Sequence, residues 1–172
     1  MTSITLLLLT GLVAVAPTLA PAQIFMGSVP LSLGEGRAAV LAKLRADYAV
    51  DTLTLDSMKD EWFVKSKEGP PYRFFGSLAF TKGRLSFVSR SWNPHTDIDK
   101  ATLQPVVQAL SQLAPAAADR CSVTTSRSTQ PDGEQESVVV TCGLHAVTID
   151  LGTYKGSPMA GVSESWRLAP PR

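Results

Sequence analysis

From Arg37 onward the chain spaces its apolar residues as a helix does. Val40, Leu41, Leu44 and Tyr48 fall on one face, while Arg37, Lys43, Arg45 and Asp47 point elsewhere. Ser32-Leu33-Gly34-Glu35 precedes this run with capping-box spacing. In such a box the Ser hydroxyl accepts from an amide three residues on and the Glu reaches back, so the helix is expected to open there. From Asp51 the period shortens to two. Strands are predicted near residues 53–55, 61–67, 73–81 and 84–92, with Glu68-Gly69-Pro70-Pro71 and Lys82-Gly83 supplying turns and 74–92 forming a hairpin.

The same order of elements then recurs. Asp97 or Asp99 is placed to cap a second helix whose apolar face is Leu103, Val106, Val107, Leu110 and Leu113. Pro105 must kink that helix or sit in its first turn, where a missing amide is tolerated. Strands are predicted at 121–127, 136–142, 145–151 and 161–168, separated by loops at 130–134 and 152–158. Val88-Ser89-Arg90-Ser91-Trp92 returns 74 positions later as Val162-Ser163-Glu164-Ser165-Trp166, differing only where Arg90 becomes Glu164. The pattern predicts an α+β protein of two tandem repeats, residues 23–94 and 95–172. Each repeat is a helix followed by about four antiparallel strands, and the two pack side by side so that each helix buries its stripe on a sheet.

Residues 1–22 change the picture of where the protein works. They carry no charged side chain, run apolar from Leu6 to Leu19, and end in the small-x-small pattern Ala20-Pro21-Ala22. A secretory signal peptide cut before Gln23 is expected. Gly11 and Pro17 interrupt the apolar run, which falls short of the roughly 20 residues that span a bilayer, and no membrane span is expected after cleavage. An exported chain, periplasmic or secreted, meets an oxidising environment, so Cys121 and Cys142 are expected to form a disulfide. Alternation places Cys121 with Val123 and Thr125 on one strand face, and Cys142 with Val138 and Val140 on a face of the next strand. Such a pair bridges when its α-carbons approach to about 5.5–6 Å. Net charge is +1, with both signs interspersed and no basic block, so nucleic acid is not an expected partner.

The repeated helix faces, the two V-S-x-S-W strands and the cysteine pair resemble, in element order over residues 32–168, the tandem α/β repeat of the β-lactamase inhibitory protein family. The resemblance implies a secreted protein that binds a protein target with a concave, aromatic-rich sheet surface. The first half departs from that pattern in having no cysteine pair, and no binding residue of the family matches a position here.

Candidate chemistry is sparse. His95, Asp97 and Asp99 gather an imidazole and two carboxylates between the halves, as a metal site or general acid–base pair would require, although Asp also serves simply as a helix cap. Cys142 and His145 have the residue types of a nucleophile beside its base, but a disulfide would withdraw the sulfur. Gly161-Val162-Ser163-Glu164-Ser165 approaches a nucleophile elbow without its final Gly, and no phosphate-cradling Gly-rich motif is present. No cofactor is expected. Trp92, Trp166, Trp62 and Tyr154 are the candidate binding aromatics, since Trp and Tyr bury large areas at modest entropy cost, and the core is their alternative place.

These features lead to an exported, non-catalytic binding or inhibitor-like protein that acts on a protein or envelope component. Two alternatives stand beside it. One is a small extracytoplasmic hydrolase or metal-dependent enzyme using His95, Asp97 and Asp99, with His145 as a further candidate. The other is a structural envelope protein.

Overall fold

The computed structural model describes residues 23–52, 61–92, 103–113 and 121–169. The predicted leader at 1–22, the predicted strand at 53–55 and the cluster His95, Asp97 and Asp99 lie outside these residues. Within them the protein is α+β, with antiparallel strands and two helices.

A short hairpin comes first, β1 (Ile24–Met26) against β2 (Val29–Leu31), and its alternation sends Ile24, Met26, Val29 and Leu31 into the core. Helix α1 (Arg37–Asp47) buries Val40, Leu41 and Leu44 as the spacing predicts. The capping box does not open it. The N-cap is Gly36, with no side-chain cap bond, and Glu35 instead pairs with Lys43 at 2.5 Å. The cause lies in the backbone. The amides of Gly34 and Arg37 donate to Leu85 and Gly83 at 2.8 and 2.9 Å, and Leu85 donates back to Glu35, so this segment is tied to a neighbouring strand before it can turn into helix.

The strands β3 (Ala49–Thr52), β4 (Glu61–Lys65), β5 (Phe74–Thr81), β6 (Arg84–Ser91), β7 (Cys121–Gln130), β8 (Gly133–Cys142), β9 (His145–Tyr154) and β10 (Ser157–Arg167) form one eight-stranded sheet. Its order is β3-β4-β5-β6-β10-β9-β8-β7, so the arrangement is not two separate four-stranded sheets packed side by side. The last strands of the two groups, β6 and β10, pair antiparallel, and each thereby satisfies the backbone groups that the other would leave bare at an edge.

The expected loops at 130–134 and 152–158 shrink to tight turns at Pro131-Asp132 and Lys155-Gly156, and β7 to β10 run to ten or eleven residues each. Gly133 and Gly152, which read as loop residues, lie inside strands. A Cβ at either would collide with the facing backbone, of Thr153 and Glu134 respectively, so glycine is what lets these strands close up.

Helix α2 (Leu103–Leu113) has Pro105 within its first turn. It keeps part of the predicted face inward and turns the rest outward. Ala109 and Leu113 are buried and Val106 partly so, whereas Val107 and Leu110 are 56% and 36% exposed. The small Ala109 side chain permits close approach to β9 and β10, the two strands on which this helix rests.

Candidate functional site

The pairing of β6 with β10 brings the two copies of the pentapeptide together. Ser91 lies opposite Ser163, Arg90 opposite Glu164, Ser89 opposite Ser165 and Val88 opposite Trp166, and the Trp92 amide donates to the Val162 carbonyl at 2.9 Å. The position at which the copies differ therefore meets its own counterpart. On one face of this junction the strands carry Val88, Arg90, Trp92, Val162, Glu164 and Trp166, and both helices pack on that face.

At its centre is Glu164, with a fully buried side chain. Its Oε2 accepts from Arg90 Nε at 2.8 Å and from Trp92 Nε1 at 3.0 Å, and lies 2.6 Å from Arg90 Nη2. Its Oε1 lies 2.6 Å from His145 Nε2. Arg90 Nη1 donates at 3.4 Å to the Phe25 carbonyl, which ties the first hairpin to the junction. Arg90 also lies against the rings of Trp92 and Trp166, at 4.2 and 5.2 Å, and Trp166 stacks on His145 with centroids 4.8 Å apart. A buried carboxylate is tolerable only when paired and hydrogen-bonded, and Glu164 meets that condition on both oxygens. With its side chain fully buried, Glu164 has no solvent-facing side on which to meet a substrate.

No family model matches the chain, and the comparisons with curated proteins and with solved structures gave no match either.

The candidate residues scatter. Trp92, Trp166 and His145 gather around Glu164, and the two tryptophans are partly buried there. Trp62 sits in the core around α1, 8% exposed, with Arg37 4.7 Å above its ring and Phe80 edge-on at 6.4 Å. Tyr154 is 54% exposed at the far end of β9, beside Lys155. Cys121 and Cys142 lie directly opposite each other and are disulfide-bonded, with α-carbons 4.3 Å apart. This bond fits a location outside the reducing cytoplasm. Among the described residues no group of His, Cys, Asp or Glu is placed to hold a metal ion, and no helix is long and apolar enough to cross a membrane. Sequence reasoning passed over Arg90 and Glu164, although the one charge-reversed position in an otherwise matching repeat was the signal that marked them.

The opposite face of the sheet carries neither helix. Register lays a row of short side chains across it: Ser77, Ser89, Ser165, Ala146, Thr141 and Ser122. Further along the same face, Ser137 and Gln135 donate to Asp150 Oδ1 at 2.5 and 2.8 Å. Two open hollows mark this side. One, of about 430 Å³, is lined by residues that include Thr141, Leu144, Ala146, Ser165 and Arg167. The other, of about 420 Å³, is lined by residues that include Glu61, Phe87 and Arg167, so Arg167 borders both.

Proposed function

We propose that the protein is an exported, non-catalytic binding protein that engages a protein or envelope component through the helix-free face of its sheet. One observation carries this reading: both helices pack on one face, and among the described residues the other carries a row of short, mostly hydroxyl side chains beside two hollows that share Arg167. Short side chains let a partner approach the strands closely, and Arg167 offers a charge at the centre of the approach. The disulfide supports export, as does the leader-like composition of residues 1–22.

We also read the chain as two tandem copies of one unit. Each has an eleven-residue helix before the strand that bears the repeated pentapeptide, and antiparallel pairing of those strands sets Arg90 against Glu164. A two-fold relation between like units puts each central position against itself, so the fit between register and repeat supports the duplication. The resemblance to the β-lactamase inhibitory protein family points the same way, and inhibition of such an enzyme is one form the binding could take.

The test is affinity capture from envelope and culture fractions with three baits: the oxidised protein, its Ser165→Arg variant and a reduced, unfolded control. A stoichiometric partner held by the folded protein and lost on Ser165→Arg, with the disulfide and far-UV spectrum unchanged, is the expected result. Retention of that partner by the variant would move the binding surface away from this face.

A further inference from the structure

The outermost strand, β7, is exposed at all ten of its positions and is paired only on the β8 side among the described residues. The Cα separation of 4.3 Å between Cys121 and Cys142 shows which of its backbone groups face outward. Directly opposed residues of an antiparallel pair sit about 5.5 Å apart when they exchange hydrogen bonds and about 4.5 Å apart when they do not. Cys121 and Cys142, though joined by their sulfurs, thus occupy a non-hydrogen-bonded backbone pair, and the β7–β8 register runs without a shift from there to Gln130. Val123, Thr125, Arg127 and Thr129 therefore turn their amides and carbonyls away from β8, toward the free edge.

Exposed edges in stable proteins are kept short, or are defended by Lys, Pro or a bulge. Among the described residues this edge has none of these defences. Its one charged residue, Arg127, is already engaged by Glu134 at 2.7 Å and Glu136 at 3.6 Å on β8. At the other edge of the sheet, β3 spans four described residues. A head-to-tail contact between β7 and these four residues would leave most of β7 bare, whereas a second β7 matches it in length. A like-to-like contact closes as a two-fold dimer instead of growing.

We propose that β7 pairs antiparallel with β7 of a second copy of the chain, making a continuous sheet across a two-fold axis at Ser126. In this register Val123 faces Thr129 of the second copy and Thr125 faces its Arg127, so all four outward residues exchange backbone bonds, about eight in total. Between them Ser126 faces itself and Thr124 faces Ser128, small hydroxyl pairs that suit cross-strand packing, and no arginine opposes an arginine.

Sedimentation equilibrium of the oxidised protein across micromolar to millimolar concentrations tests the pairing. A monomer–dimer equilibrium is expected. Thr125→Pro removes an outward amide while sparing the bonds to β8, and should raise the dimer dissociation constant at least about tenfold with the fold intact. Ser126→Cys should cross-link two copies on mild oxidation, because its position is a non-bonded pair across the axis, whereas Ser128→Cys should not. A wild-type monomer at all concentrations would overturn the proposal. So would a dimer indifferent to Thr125→Pro, or an edge that takes up only an extended segment of another protein.

Discussion

Around α1 the sheet closes over a contiguous apolar set that includes Ile24, Met26, Leu31, Val40, Leu44, Leu78, Leu85 and Val88. Around α2 the buried set among the described residues shrinks to Ala109, Leu113, Cys142, Val147 and Val162, and a disulfide joins β7 to β8. The first hairpin supplies much of this difference, since nothing equivalent packs under α2 among the described residues. Where apolar burial is small, constraint of the unfolded chain takes over part of the stabilisation. Glu164 belongs to neither side alone, because its partners come from β6, the residue just after it, and β9.

The comparison can be broken most forcefully at Glu164. Glu164→Ala leaves the part-buried Arg90 guanidinium, Trp92 Nε1 and His145 without their shared carboxylate and should cost about 3–5 kcal/mol, lowering the urea midpoint for probes on both sides of the sheet together. Independent transitions in the wild type would show that the junction does not couple the sides. Leu44→Ala, in the larger core, should cost about 3–4 kcal/mol by opening a cavity, measured in the same urea titration. Replacing Cys121 and Cys142 with Ser releases a constraint spanning 21 positions and should cost about 3 kcal/mol, with hydrogen exchange rising first in β7 and β8. Leu113→Ala should cost only about 2 kcal/mol, because the thinner packing around α2 leaves fewer contacts to lose. A loss at Leu113 equal to that at Leu44 would erase the proposed asymmetry.

Much of the fold was legible because its signals are local. The period of Val40, Leu41 and Leu44 marks α1, the alternation of residues 145–151 marks β9, and one cysteine on each of two adjacent strands marks the bridge. The first hairpin was not legible, since three-residue strands are too short to display a period. The inward face of α2 was legible at Val106 and Leu113 but misread at Val107 and Leu110, because hydrophobicity ranks these two above Ala109, while close packing on a sheet favours the smaller side chain. The joined sheet depends on which edges meet, a non-local choice that no single segment encodes. The Glu164 cluster was hidden for a related reason. A carboxylate in a strand reads as a solvent-facing residue until a partner 74 positions away turns it inward.

The strand order also sets a timetable. β10 is made after every other strand of the sheet, yet it belongs at the middle, beside β6. While the chain between them is being synthesised, the edge of β6 has no permanent neighbour, and the Arg90 guanidinium waits without its carboxylate. The group around α1 can form early, but the whole sheet cannot close until its central seam arrives. A nascent or truncated chain ending before residue 157 is expected to hold an open, adhesive edge in solution, making the final stretch of β-strand the step that converts a vulnerable intermediate into a finished molecule.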